Sequence, residues 1–415
     1  MGWTPEYKPK LRNVEPFGAI YQGRRVIGLK DPLRLSEKVV FVPQESLPLL
    51  AMFDGGHTLR DIQADLSARA GRIVFLDDIE AVLKTLDQAY LIEGPEAEEA
   101  FRRRTEEYRR RPVRPCSHAG TSYNPDPEKL RQELNSYFAK DNNGPGRPDL
   151  FSQSRRPVGI IAPHIDIRAG GLSFARAYHA LGSGQPSDVY VILGTGHAGV
   201  EKMFTASTID FETPLGVSKV DTDIVHRLSK ELGRDAAEEE ILHENEHVIE
   251  FQVLFLQHIY QDRHDFTIVP ILCSLSHKIF DSQDSLHQQR QAFYSFCSAL
   301  RNACSQSGKK ICFIASADLD HIGPRYGDQF VPHRGTVEAS LQKDSEMLCY
   351  LQQCSVDSFI GCVVSEGDIR RVCGFSPIVT MMHTMNASQA EILSVDFAYV
   401  DDRKSFVTFG AMVFY

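Results

Sequence analysis

The chain has 415 residues, too many for one average domain and enough for roughly two to three. Its 42% hydrophobic content excludes a disordered chain. A formal charge of 45 − 55 = −10 gives no reason to expect DNA or an anionic membrane as the main partner.

In chain order, the first pattern is helical. After the turn Phe53–Asp54–Gly55–Gly56, Thr58 is placed to N-cap Leu59–Ala70, where Leu59, Ile62, Ala64 and Leu66 form an apolar stripe. Asp77 or Asp78 starts a second helix with Ile79, Val82, Leu83 and Leu86 on one face, and Tyr90–Leu91–Ile92–Glu93 follows. Two short helices and then a strand resemble a winged helix, in an order similar to the small peptide-binding unit of the PqqD type. Asp77, Asp78, Glu80 and Asp87 make the second helix acidic, which argues against DNA reading and leaves dimerisation or docking. The arginine-rich stretch from Arg102 to Arg114 reads as a solvated helical linker that ends at Pro112 and Pro115. The expected division is therefore residues 1–110 as a small docking domain with its linker, and residues 111–415 as a larger domain.

Lys140 to Asp149 is a turn-rich loop, and beyond residue 150 strands and helices alternate. Val158–Pro163, Val189–Leu193, Phe266–Leu272 and Ile311–Ala315 are short apolar runs of the kind that form buried parallel strands. Helical patterns cover Arg176–Leu181, Val248–Tyr260, Ser285–Ala303 and Ser376–Met385. Ile392–Val400 and Phe406–Phe414 read as a closing strand pair. The pattern predicts an α/β fold with a mostly parallel central sheet covered by helices on both faces.

Polar, metal-capable residues stand where these strands end. His164 closes the first run, His197 follows the second after Gly194–Thr195–Gly196, and Asp318 and His321 follow the fourth. Cys373 precedes Gly374 at a helix start. In open α/β sheets, ligands collect beyond the carboxyl ends of the strands. A lone histidine is more often structural, but the matched placement joins His164 and His197 as ligands of one ion. Cys373 is the expected third ligand, because a helix N-terminus and a cation both favour the thiolate. Two histidines and one anionic ligand leave coordination positions open, as in oxygen-activating iron sites. A thiolate also admits copper(I) or zinc, so the ligand set alone does not name the metal.

Asp318, Asp320 and His321 form a second cluster. A carboxylate beside a histidine fixes its tautomer and raises its basicity, which makes His321 the expected general acid/base and Asp318 its partner. The plainer alternative has Asp318 capping a turn and His321 merely exposed. His243–Glu244–Asn245–Glu246–His247 fits the HExxH pattern of zinc hydrolases, with Glu244 as base if the segment is helical. The Gly and His of the extended metzincin form do not follow, so this is the lesser reading. His247 and Glu250 share a helix face and are expected to line the same cleft as catalytic residues.

Taken in order, Ser117–His118–Ala119–Gly120–Thr121–Ser122–Tyr123, Ala162–Pro163–His164, Gly194–Thr195–Gly196–His197, Glu246–His247–Val248–Ile249–Glu250, Ser316–Ala317–Asp318–Leu319–Asp320–His321 and Cys373–Gly374 resemble the Memo family. The resemblance is closest to its long bacterial form, AmmeMemoRadiSam system protein B, and runs from about Pro115 to Tyr415. It implies a fold related to class III extradiol dioxygenases, with a metal at His164 and His197. Cys373 stands where those enzymes carry a carboxylate, and His321 resembles their acid/base histidine. It further implies a non-haem metal-dependent redox enzyme using one transition-metal ion, iron(II) favoured. The substrate would be a peptide or protein, handled with radical SAM and AMMECR-type partners. Ile165–Asp166–Ile167–Arg168 and Thr121–Ser122 depart from the shorter relatives, so the substrate does not carry over. The competing class is a non-catalytic metal-binding or peptide-binding scaffold, against which stands the retained Asp318–His321 pair.

The nine cysteines are scattered with no CxxC pair, and Cys297, Cys312 and Cys362 lie in apolar runs, which fits reduced thiols. No apolar run approaches the ~20 residues of a bilayer span. The start Met1–Gly2–Trp3–Thr4–Pro5–Glu6 has no apolar signal region. A soluble, cytoplasmic protein is expected.

Overall fold

The computed structural model describes residues 3–21, 23–281 and 286–415. The chain forms two compact units, Met1–Arg110 and Arg111–Tyr415.

In the first unit, an antiparallel meander of Glu15–Tyr21, Arg24–Lys30 and Val40–Pro43 precedes the helices Leu47–Ala51, Leu59–Ala70, Leu76–Asp87 and Pro95–Arg109. Thr58 caps Leu59–Ala70 as the sequence predicts, in a reciprocal capping box with Asp61. Phe75, not an aspartate, is the N-cap of Leu76–Asp87, which leaves Asp77 and Asp78 in the first turn where the helix dipole favours them. Leu59, Ile62, Ile79, Leu83, Leu86 and Leu91 pack with Val40 and Val42 into one core. After the acidic helix the chain contributes a single bridge, Leu11 with Ile92.

Among the described residues, the second unit is built on a mixed sheet of eleven strands. Gly159–Ala162, Ile311–Ser316, Val189–Thr195 and Thr267–Cys273 lie side by side and parallel at its centre. Their residues are almost all buried apolar, as strands covered on both faces must be. Antiparallel pairs extend the sheet on both sides. Phe406–Phe414 joins Gly159–Ala162 and carries Ala390–Tyr399 and Asp318–Ile322, while Gly216–Val220 beyond Thr267–Cys273 leads to Asp210–Thr213. Helices Ile167–Ser183, His247–Tyr260, His287–Gln306 and Phe375–Thr384 pack on the sheet and on each other. Ser285, expected to begin the third of these, lies outside the described residues. Among the described residues no helix is long and apolar enough to cross a membrane.

The arginine-rich stretch needs a correction. Its helix ends at Arg109, and Arg102 pairs at the surface with Glu99 and Glu106. Arg114 is instead fully buried in the second unit, where it pairs with Glu250 at 2.5 Å.

Candidate metal centre

Because the central strands are parallel, their carboxyl ends meet on one edge of the sheet, and the polar residues that follow them converge there. Cys373 Sγ lies 3.3 Å from His164 Nε2 and 3.5 Å from His197 Nε2. Donor atoms around a four-coordinate ion with bonds of about 2.0–2.3 Å stand roughly 3.5 Å apart, so these spacings suit one small cation. Each imidazole is oriented through its other nitrogen. His164 Nδ1 is 2.9 Å from the Ser316 carbonyl, which fixes it as an N–H donor and turns Nε2 toward Cys373 Sγ. His197 Nδ1 is 3.1 Å from Glu246 Oε1, with the same result.

Backbone contacts bring Cys373 to this point. Cys373 N–H donates to the Leu319 carbonyl at 3.2 Å and Gly374 N–H to the Asp318 carbonyl at 2.7 Å. The Thr195 hydroxyl donates to the Cys373 carbonyl at 2.9 Å. The approach is so close that a Cβ on Gly374 would stand 2.5 Å from the Asp318 carbonyl oxygen, so a side chain there would displace the loop. Arg371, two residues before Cys373, takes the left-handed backbone region (φ 55) and is held by bonds to the His321 carbonyl and to Asp328.

The charges in this cluster support one another. Burial opposes ionisation of the Cys373 thiol, but His164 and His197 outweigh it and hold its pKa well below the ordinary value. Burial likewise opposes protonation of His164, yet Asp318 and Cys373 raise its pKa to about 9. By contrast, burial pushes the thiols of Cys297, Cys304 and Cys312 up to about 12, so they are inert. Burial also opposes ionisation of Glu246, but His197 and His247 hold its carboxyl well below the usual carboxylate range. Glu246 is thus an anion shared by two histidines, since His247 Nδ1 is also 3.1 Å from Oε1.

His247 stacks on His197 with ring centroids 5.2 Å apart and meets His164 edge-on at 5.6 Å. Burial holds its imidazole below the usual range, against the pull of Glu246. On the other side, the Tyr326 ring stands edge-on to His321 at 4.9 Å. Burial pushes the Tyr326 phenol up to about 12, with Asp318 and Cys373 adding to the effect.

Three expectations change. Asp318 does not orient His321: its Oδ1 accepts the backbone N–H groups of His164 and Ile165 at 2.9 and 3.1 Å, and its Oδ2 lies 3.6 Å from His164 Nε2. It shapes the turn that presents His164, while His321 Nδ1 is satisfied by the Leu319 carbonyl at 3.1 Å. Glu250 does not line the cleft. It is fully buried, with Arg114, Ser117, His118 and Tyr123 as donors. Nor does the HExxH pattern form a zinc helix. Glu240–His243 is a short 3-10 turn, the α-helix begins only at His247, and His243 Nε2 is engaged by the Thr205 carbonyl at 3.1 Å. Glu244 pairs with Arg111 at 2.5 Å.

Glu246, Tyr326, His118 and Arg114 carry no role in the sequence reading. Glu246 had a legible signal, an acid immediately before a histidine at a helix start. Arg114 had none, because a buried arginine at the end of an arginine-rich run looks like the rest of that run.

Comparison with known proteins identifies the family. Residues 114–413 match the family described as Memo-like protein. A MEMO1 family protein of Aquifex aeolicus is 25% identical over 98% of this chain and all of its own length. One from Methanosarcina barkeri is 28% identical over 66% of this chain and 89% of its own length, and one from Saccharolobus islandicus is 30% identical over 63% and 83%. An α/β unit with histidine and cysteine side chains gathered at the strand ends is the class that fold and site define. The chain belongs to the Memo-like family.

Proposed function

We propose that the protein is a non-haem metal-dependent redox enzyme of dioxygenase-like type that acts on a peptide or protein. The observation that carries this reading is the approach of Cys373 Sγ to both imidazole Nε2 atoms, at 3.3 and 3.5 Å. His164, His197 and Cys373 would hold one transition-metal ion, with iron(II) favoured because two imidazoles and one anion leave positions open for substrate and O₂. Copper or zinc also suits these donors. When bound, the ion supplies Lewis acidity and, if iron or copper, electron transfer.

The chain's own groups do the rest. Ser316 and Glu246 hold both Nδ1 atoms as donors, so that a bound ion would replace only the Nε2 protons. His321 donates from Nδ1 to the Leu319 carbonyl, which leaves Nε2 to accept or return a proton. The family likeness brings radical SAM and AMMECR-type partners, and the unit Met1–Arg110 is read as the peptide-docking module. Nine free cysteines accord with work in a reducing cytoplasm.

The test is metal analysis of protein purified without oxygen. The parent should hold one ion per chain, and His164→Ala with Cys373→Ser should hold none; equal metal in both overturns the assignment. Oxygen consumption is then measured with the partner proteins and candidate peptides present. Its complete absence in the metal-loaded protein would favour a binding scaffold.

A further inference from the structure

The segment Ser117–Tyr123 has no part in the reading above, yet a fully buried ion pair holds it in place. Glu250 Oε2 accepts from Arg114 Nη1 at 2.5 Å, from Ser117 N–H at 3.0 Å and from the Ser117 hydroxyl at 3.1 Å. Oε1 accepts from His118 N–H at 3.0 Å and from the Tyr123 hydroxyl. The His118 imidazole is 24% exposed, lies 5.5 Å from the His247 ring and meets Phe251 edge-on at 5.9 Å. Through His247 it adjoins His164 and His197.

Counting protons points to one tautomer of this ring. A serine hydroxyl has one proton to give and two lone pairs. Arg114 Nη2 donates to Ser117 Oγ at 2.9 Å and uses one lone pair. Two neighbours remain, Glu250 Oε2 at 3.1 Å and His118 Nδ1 at 2.8 Å. A carboxylate only accepts and is the charged acceptor, so we assign the hydroxyl proton to Glu250, which avoids two oxygens facing each other with no proton between them. His118 Nδ1 must then donate to Ser117 Oγ, which leaves Nε2 as a bare lone pair. Among the described residues Nε2 has no hydrogen-bond partner.

We propose that His118 is a substrate-facing proton acceptor, held as its Nδ1–H tautomer by the Glu250–Ser117 pair on the His247 side of the metal centre. It would take a hydrogen bond or proton from a substrate hydroxyl or amide N–H. In a full transfer, the O–H or N–H bond breaks, its electron pair stays on the substrate, and Nε2 gains the proton. His118 is the catalytic residue, and Ser117 and Glu250 are positioning residues. The assignment of substrate contact rests on the proposed function; the tautomer does not.

The experiment is long-range proton–nitrogen NMR on protein carrying ring-labelled histidine, metal-free and zinc-loaded, with the His118 signal identified by its loss in His118→Gln. Expected is a protonated Nδ1 and an unprotonated Nε2. Ser117→Ala, which removes the acceptor, should shift His118 toward Nε2–H, whereas Tyr123→Phe should not. Carbethoxylation of His118, located by mass spectrometry, should be fast in the parent and several-fold slower in Ser117→Ala. A parent ring in the Nε2–H form, or a tautomer unmoved by Ser117→Ala, overturns the proposal. Metal content should be unchanged in His118→Gln, so failure of the metal assignment would register separately.

Discussion

Arg370 Nη1 lies 2.6 Å from Asp320 Oδ1, and this buried pair fastens the loop that carries Cys373 to the strand that carries Asp318 and His321. The same guanidinium reaches Asp344 at 3.1 Å and Glu366 at 2.7 Å, and the Arg370 carbonyl accepts from His321 N–H at 2.8 Å. Burial first, and then Asp320, push the Asp344 carboxyl well above its ordinary range. Removing the cation leaves the buried Asp320 carboxylate unpaired, an effect of about 3–5 kcal/mol. Arg370→Met is therefore expected to unfold at much lower urea and to bind metal more weakly, because Cys373 loses its anchor. Adding Asp320→Asn to Arg370→Met should recover part of the stability and little of the metal affinity. Urea titration and metal competition against a chelator measure the two effects, and metal affinity fully restored by the double variant would show that the pair does not position Cys373.

Glu246 contacts no predicted ligand atom, yet it should matter for metal binding. Its carboxylate holds the Nδ1 side of His197 and also accepts the His197 backbone N–H at 2.9 Å. Loss of such a supporting carboxylate commonly weakens metal binding by about 10–100-fold. Glu246→Gln is expected to fall in that range. Glu244→Gln, whose carboxylate is engaged by Arg111 instead, should bind metal as the parent does.

The sequence made the central strands legible because each is a short, unbroken apolar run. His164 and His197 were legible because each follows such a run with a residue that has no packing reason to be there, and Cys373 because it stands at a helix start beside Arg371 and Gly374. What lay beyond reach was partner choice. Asp318, Asp320 and His321 are close in sequence, which invites one cluster, but alternation along the strand Asp318–Ile322 and a register irregularity send them to His164, Arg370 and Tyr326 respectively. The HExxH spacing misled for a similar reason. Five residues suggest a helix turn, but the backbone breaks between His243 and His247, and spacing carries no information about that break.

Two buried histidines make stability depend on pH. Burial drives His243 and His258 down to about 3, and both ring nitrogens of His258 lack a partner among the described residues. The folded state therefore refuses protons that the unfolded chain takes up below its pKa near 6.5. The penalty is absent above about 6.5 and grows as pH falls toward about 3, by about 1.4 kcal/mol per pH unit for each group. His258→Phe, which extends the contact with Phe138, should remove one such slope and raise stability at pH 5 more than at pH 8. Urea midpoints at the two pH values measure this, and an equal shift at both would refute the assignment to His258.

The final prediction concerns the two units. Every candidate ligand and every strand that positions one lies within Arg111–Tyr415. The second unit has its own buried core, formed where the apolar central strands meet the helices Ile167–Ser183 and His247–Tyr260. A chain beginning at Arg111 is therefore expected to fold, to keep Arg111 paired with Glu244, and to retain metal at the parent's stoichiometry. Affinity for the peptide or partner protein should fall instead, because the first unit presents its own sheet edge, Glu15–Tyr21, to which an extended peptide can add. Metal analysis and partner titration on the shortened chain separate the two effects. A soluble but metal-free product would mean that the first unit helps to build the centre.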